Sequence, residues 1–295
     1  MVEDAHYMDR ALSLAELGRG RASPNPMVGA LVVSPAGVIV GAGHHEEAGL
    51  AHAEIQALTE AGSGAAGATL YCTLEPCCHT GRTGPCVERI VEAGIARVVV
   101  GVEDPNPLVN GGGIRYLRRH GVHVDVGVCR AEAARLNQAF FTLIGKHRPF
   151  VTLKVATSLD GRIAAIAGRR SQLTSAPANR QVHLLRAEVD AIAVGSGTVL
   201  ADDPLLTARG VHRSRPLTRV LFDTRLLTPP AARVLSTLDA GPVIIVTTEA
   251  GLSAAPERVE ALRSAGATLE VLEARDLKAA LVRLSPFLAE ARQAA

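Results

Sequence analysis

Two stretches decide how this chain is read: His52-Ala53-Glu54 and Pro76-Cys77-Cys78-His79-Thr80-Gly81-Arg82-Thr83-Gly84-Pro85-Cys86. One imidazole and two thiols, from His52, Cys77 and Cys86, offer three borderline-soft donors. They leave a fourth tetrahedral position for water, the donor set of a catalytic rather than a structural zinc. An open zinc lowers the pKa of bound water from near 16 to about 7. Glu54, two residues beyond the imidazole, is not needed as a ligand and can carry protons. Two other readings stay open at this level. Free cysteines are among the most buried residue types, so a packed core accounts for them without metal. A fourth ligand from Cys72, Cys78 or His79 would close the site and leave Glu54 without a task.

H-x-E followed by P-C is the arrangement of the zinc deaminases, in which a Glu that does not bind the metal acts as general acid and base. Cysteine spacing there is usually C-x-x-C, whereas eight residues separate Cys77 from Cys86 here. The same zinc core acts on cytosine or adenine in nucleic acids, so a nucleic-acid base deaminase is the alternative enzyme class. A non-catalytic zinc scaffold is a third.

Composition bears on that choice. Thirty-one basic and 29 acidic residues give a net charge of +2, which provides no broad basic field, and at 3% aromatics the chain lacks stacking platforms for single strands. The expected partner is a small molecule, with no nucleic acid, no membrane and a homo-oligomeric assembly. At 295 residues two domains are expected, with aliphatic cores since Trp is absent. Five cysteines do not make a disulfide framework, and a reducing cytoplasmic setting fits. The acidic start Met1-Val2-Glu3-Asp4 has no basic region before an apolar run, so no signal peptide is expected. No uncharged apolar run reaches about 18 residues, so no membrane span is expected either.

Along the chain, Tyr7, Met8, Ala11, Leu12, Ala15 and Leu17 predict an amphipathic helix over 6–18. Pro24-Asn25-Pro26 pins Asn25 between two prolines, a setting suited to holding a ligand. Strands are expected at 28–33 and 37–43, joined as a hairpin through Pro35-Ala36-Gly37. His52 opens the next helix, 69–73 is a strand, and the loop to Cys86 leads into a helix whose dipole favours thiolate. A buried strand at 96–102 ends in Glu103-Asp104-Pro105-Asn106-Pro107, where Asp104 and Asn106 are candidate ligand contacts. The glycines 111–113 are expected to be flexible. A helix at 117–120, a strand at 122–128 and a helix at 131–144 complete a first domain over 1–145. A second domain over 150–295 alternates strand 150–156, helix 177–188, strands 190–195, 218–223 and 242–248, helix 256–265, strand 267–272 and helix 276–293. That alternation implies an α/β fold with a mainly parallel sheet. Gly195-Ser196-Gly197, between a strand and a helix, is a reasonable place for a phosphate.

With Pro24-Asn25-Pro26-Met27-Val28-Gly29, His52-Ala53-Glu54, Thr73-Leu74-Glu75-Pro76-Cys77, Cys86 and Asp104-Pro105-Asn106-Pro107 in view, the chain resembles the bifunctional riboflavin-biosynthesis deaminase-reductases. The second half matches in Leu153 to Arg162, Thr174-Ser175, Leu185-Arg186-Ala187 and Asp190 to Thr207. The resemblance implies a cytidine-deaminase-like three-layer α/β/α domain followed by a dihydrofolate-reductase-like α/β domain. The first would bind one Zn2+ through His52, Cys77 and Cys86. With Glu54 as proton shuttle it would deaminate 2,5-diamino-6-(5-phosphoribosylamino)pyrimidin-4(3H)-one, gripped by Asn25, His45, Arg82, Asp104 and Asn106. The second would use NADPH to reduce the ribosyl to a ribityl chain. Thr198, Asp202 and Thr224 would lie on the NADPH side, and Ser171, Arg186, Leu206 and Arg209 would face substrate. The chain departs from the pattern at Leu173, where the family usually has an aromatic pair. It also stops at Ala295, whereas the family continues through a strand ending in Glu-Gly-Gly. An incomplete reductase domain is therefore expected, with a monofunctional deaminase as the alternative.

Overall fold

The computed structural model describes residues 2–80, 84–166 and 171–272. Arg82 and the helix expected over 276–293 lie outside the described residues. The chain divides into two compact units, Met1–Phe150 and Val151–Ala295. No helix among the described residues is long and apolar enough to cross a membrane.

In chain order the first unit contains α1 (Val2–Ala15), β1 (Gly29–Val33), β2 (Ile39–His44), α2 (Ala53–Ala61), β3 (Thr69–Leu74) and α3 (Cys86–Glu92). It continues with β4 (Arg97–Val102), α4 (Gly112–Arg119), β5 (His123–Val126), α5 (Arg130–Leu136) and α6 (Gln138–Lys146). The sheet order is β2-β1-β3-β4-β5. β1 runs antiparallel to both β2 and β3, while β4 and β5 run parallel to β3.

Alternation along the strands makes three layers. Ala30, Val32, Leu70, Val98 and Val100 pack beneath α2, α3 and α4 through Ala53, Ala57, Val87, Ile90, Ile114 and Leu117. The intervening Leu31, Val33, Tyr71 and Val99 pack on the other face against Tyr7, Met8 and Ala11 of α1. Strands covered on both faces read as continuous apolar runs, which is why 96–102 shows no polar alternation.

Glycine sets the closeness of α2 to the sheet. A Cβ at Gly41 would lie 2.1 Å from the Ala57 carbonyl, and one at Gly43 would lie 2.3 Å from that of Ala53. Only hydrogen at these positions lets the helix carrying Glu54 rest on β2.

Three local expectations are corrected. The helix expected at 117–120 begins at Gly112, so the glycine run is its first turn rather than a flexible link. A Cβ at Gly113 would lie 2.1 Å from the Pro76 carbonyl, so close approach, not mobility, explains glycine there. The helix expected over 131–144 is two helices that break at Asn137 (φ −103°, ψ 23°), because the Asn137 side chain is drawn to the backbone of Met27.

The second unit contains α7 (Ala176–Glu188), β6 (Ala191–Gly195), α8 (Ser196–Asp202), β7 (Thr218–Phe222), a 3-10 segment (Arg233–Ala240), β8 (Val243–Thr248), α9 (Glu249–Ala254), α10 (Pro256–Ser264) and β9 (Ala267–Leu272). Its sheet, β6-β7-β8-β9, is wholly parallel. Leu221 and Ile245 pack on one side with Val199, Val234 and Leu262; Val220, Ile244 and Val246 pack on the other. The strand expected over 150–156 is the third correction: no ladder is formed there among the described residues, and Val151, Leu153 and Val155 are exposed. Apolar, β-branched composition favours extension, but a strand exists only through a hydrogen-bonding neighbour.

Gly43→Ala should push back the first turn of α2. Overpacking of this kind costs about 1–3 kcal/mol, so calorimetry should show the unfolding midpoint falling by roughly 3–10 °C. An unchanged midpoint would contradict the close-approach account.

Candidate metal centre

β3 delivers Cys77 just past its carboxyl end, while two helix starts deliver the other donors. His52 is the N-cap of α2, in extended conformation (φ −69°, ψ 157°), and Cys86 is the first residue of α3, following Pro85. His52 Nδ1 lies 3.2 Å from Cys86 Sγ and 3.5 Å from Cys77 Sγ. The three donor atoms all fall within 4.8 Å of one another. Tetrahedral zinc with bonds of about 2.3 Å to sulfur and about 2.0 Å to nitrogen needs N···S edges near 3.5 Å, so this donor set fits such an ion.

No further His, Cys, Asp or Glu joins this group among the described residues. Cys78 turns its thiol to the Leu108 carbonyl at 3.8 Å, and Cys72 is buried on β3. The closed, four-ligand reading of the sequence thus finds no fourth ligand among these residues.

Charge is arranged around the two sulfurs. The Cys86 amide donates to Cys77 Sγ at 3.3 Å. The Cys86 thiol, and then His52, hold the Cys77 thiol down to about 4, while the proton it shares with Cys77 pushes Cys86 the other way. His52 is raised, chiefly by its hydrogen bond to Cys77. Glu54 is 3% exposed; burial first, and the charge of Cys77 second, push its carboxyl up to about 7. A bound dication would favour the deprotonated form of each group, reinforcing the shift of Cys77 and opposing those of His52, Glu54 and Cys86. A carboxyl poised near neutrality is suited to exchanging protons with a reacting group.

The pyrimidine-side candidates surround this centre unevenly. Asn25 Nδ2 lies 3.0 Å from His45 Nε2, and His45 Nδ1 lies 3.3 Å from the Ala51 carbonyl. A carbonyl can only accept, so Nδ1 carries the proton and Nε2 accepts from the Asn25 amide. Burial lowers the His45 pKa, consistent with a neutral ring. Its ring meets that of His52 edge to face, with centroids 5.5 Å apart. Asp104, buried, accepts the Asn106 amide at 2.8 Å, and burial pushes its carboxyl up to about 6. Asn106 Oδ1 in turn accepts the Leu108 amide at 3.1 Å.

Asn137 is a residue the sequence did not single out. Buried between α5 and α6, it accepts the Met27 N–H and donates to the Met27 carbonyl, both at 2.8 Å. Thr73 Oγ1 accepts the Gly29 amide at 3.1 Å, and the His45 amide donates to the Val28 carbonyl at 2.8 Å. Together these fix the arm carrying Asn25. The available signal was an amide in the middle of a helical apolar pattern, where it competes with the backbone.

In the second unit Arg186 Nη1 donates to the Thr207 carbonyl at 3.2 Å, and the Arg209 amide donates to His183 Nδ1 at 3.1 Å. Arg186, Leu206 and Arg209 are thereby brought together, along with His183, which had not been singled out. Leu206 is buried with φ 55°. Burial and then the charge of Arg209 lower the Arg186 pKa, and its Nε is buried without a hydrogen-bond partner among the described residues. Two neighbouring guanidiniums of this kind suit an anion. Thr198 and Asp202 lie on α8, and Thr224, just past β7, has its carbonyl held by the Thr248 hydroxyl at 2.9 Å. Thr198, early in α8, and Thr224 stand just past the carboxyl ends of β6 and β7, where open α/β sheets bind ligands, whereas Asp202 is the last residue of α8. Ser171 accepts the Ala165 amide at 2.9 Å.

Comparison with known proteins adds the following. The family described as cytidine and deoxycytidylate deaminase zinc-binding region matches residues 1–102, and the RibD C-terminal domain matches residues 149–290. Riboflavin biosynthesis protein RibD of Aquifex aeolicus is 47% identical over 281 residues, spanning 95% of this chain and 77% of that protein. Its Escherichia coli counterpart is 49% identical over 208 residues, spanning 70% and 56%. Among solved structures, Acinetobacter baumannii RibD is similar with a TM-score of 0.84 at 39% identity, over 97% of this chain and 78% of that one. A Thermotoga maritima diaminohydroxyphosphoribosylaminopyrimidine deaminase/5-amino-6-(5-phosphoribosylamino)uracil reductase is similar with a TM-score of 0.85 at 37% identity, over the same shares.

Metal analysis of single variants tests the three-donor set. Cys86→Ala should lose zinc, whereas Cys78→Ala should keep about one ion per chain; zinc loss in Cys78→Ala would mean that the closed, structural reading is correct.

Proposed function

The chain belongs to the RibD family of riboflavin-biosynthesis deaminase/reductases, and on that premise we propose which of its residues carry the two reactions. In this reading the first unit hydrolyses the exocyclic amine of 2,5-diamino-6-(5-phosphoribosylamino)pyrimidin-4(3H)-one and releases ammonia. The second reduces the ribosyl group of the resulting aminouracil to a ribityl chain. The observation that carries the first assignment is the convergence of His52 Nδ1 and two sulfurs, with a buried carboxyl next to them in sequence that is not part of the donor group.

His52, Cys77 and Cys86 would hold zinc. When bound, the ion supplies a Lewis acid that brings deprotonation of water into the neutral range. Glu54 takes a proton at its carboxylate oxygen from the attacking water and returns it to the departing amine. Its burial excludes bulk water, so the proton stays within the site. Neutral His45, oriented by Ala51, and Asn25, which it anchors, offer hydrogen bonds at one side of the pyrimidine. Asp104 and Asn106 offer an acceptor and an amide at the other, and Arg82 supplies a cation for the phosphoribosyl arm.

For the second unit, NADPH would supply the reducing equivalents. Thr198 and Thr224, just past the carboxyl ends of β6 and β7, and Asp202, at the end of α8, would bind it. Arg186 and Arg209 would bind the substrate phosphate, with Leu206 and Ser171 shaping the remainder. The free thiols and a water-soluble phosphorylated substrate support a cytoplasmic location.

Replacing Glu54 by Gln should leave zinc content unchanged while slowing ammonia release by roughly 10²–10⁴-fold. Unchanged release would remove Glu54 from the mechanism. For the second unit, supplying the deaminated aminouracil phosphate should produce NADPH consumption, followed by absorbance. Arg186→Ala should raise KM for that substrate about 10-fold or more without altering ammonia release. No consumption above background would leave only the deaminase.

A further inference from the structure

Glu75 lies immediately after β3 and two residues before Cys77, and it is 3% exposed. Its carboxylate accepts three backbone amides: those of Asp104 at 3.2 Å and Gly111 at 2.9 Å on Oε2, and that of Ile114 at 3.2 Å on Oε1. These donors belong to the loop that carries Asp104 and Asn106 and to the first turn of α4. A helix is ordinarily capped by the side chain of its own N-cap residue. Here that residue is Gly111, in left-handed conformation (φ 76°) and without a side chain. The cap comes instead from a residue 36 positions earlier in the chain, where an anion is also favoured by the helix dipole.

The neighbouring contacts point the same way. A Cβ at Gly113 would lie 2.1 Å from the Pro76 carbonyl, and one at Gly112 would lie 2.8 Å from Cys78 Sγ. The backbone that leads through Cys77 is therefore seated directly on the start of α4. Inside the loop, Asp104 holds the Asn106 amide and Asn106 holds that of Leu108; from outside, Glu75 holds two of its amides at 2.9–3.2 Å and the Cys78 thiol makes a longer contact, 3.8 Å, to the Leu108 carbonyl.

We propose that Glu75 is a positioning residue for deamination: by binding these three amides it sets the distance between the metal-ligating segment at Cys77 and the loop that presents Asp104 and Asn106 to the pyrimidine. The proposal rests on the reading of Asp104 and Asn106 as substrate contacts. Misplacing that loop weakens substrate binding and leaves the donor group intact, whereas a fold-wide role would disturb both.

The test uses the full zinc-loaded chain. Glu75→Gln keeps the shape but puts an NH2 group where amides need an acceptor. It should raise KM for the diaminopyrimidine about 10-fold, with kcat within about 3-fold and zinc content unchanged. In an Asp104→Ala/Asn106→Ala background the same substitution should add less than about 2-fold, since the groups it positions are gone. Glu75→Asp, which retains the charge on a shorter stem, should give an intermediate KM and decides the matter if the Gln variant does not fold. A full, multiplicative effect in the double-variant background, or parallel loss of zinc and kcat, would overturn the proposal in favour of a purely structural carboxylate. A normal KM in Asp104→Ala/Asn106→Ala would overturn it from the other side, by removing those residues from substrate binding. Absence of ammonia release from the unaltered chain would mean that the deaminase assignment itself fails.

Discussion

A single ion's coordination sphere is only a few ångström across, and His52 and Cys86, whose donor atoms lie 3.2 Å apart, are 34 residues apart in the chain. The first unit meets that constraint by placing the carboxyl end of its central strand, β3, beside the starts of α2 and α3. Helix starts suit the purpose because their leading amides have no partner within the helix and are free to stabilise anions. The Cys86 amide does this for the Cys77 sulfur. Glycines at 41 and 43 allow α2 to lie close enough to the sheet for His52 to reach both thiols.

The same constraint organises the electrostatics. Two thiols and a buried carboxyl close together cannot all ionise without a compensating charge, and burial together with the charge of Cys77 pushes the Glu54 carboxyl up to about 7. A dication relieves that repulsion, which is a physical reason for the site to take metal and for its affinity to fall as acidity protonates its donors. Glu54, the second residue of α2, lies outside the donor group.

Much of this was legible before any coordinates. The donor set, the carboxyl beside it, the α/β class and the strands at 69–73 and 96–102 follow from residue types and spacings that act locally. The substrate-facing residues of the second unit came from the resemblance alone. Other features were not legible. Val151, Leu153 and Val155 have the composition of a strand yet form no ladder among the described residues, because pairing belongs to two segments and composition to one. Asn137 looked like an ordinary position in one helix, and its amide splits that helix to clasp Met27. Gly111, Gly112 and Gly113 suggested looseness, and Gly112 and Gly113 instead lie in close contact with the loop through Pro76 and Cys78.

The sequence by itself determined the chemistry on offer: an imidazole, two thiols and a carboxyl of suitable kinds, because ligand softness and proton affinity are properties of side chains. Only the tertiary structure decided which of them act together. It left Cys72 and Cys78 out of the donor group, selected Nδ1 of His52, set the tautomer of His45 and turned Glu75 toward three amides from elsewhere in the chain. Those outcomes depend on distances and burial between residues far apart in sequence, and no local pattern encodes such distances.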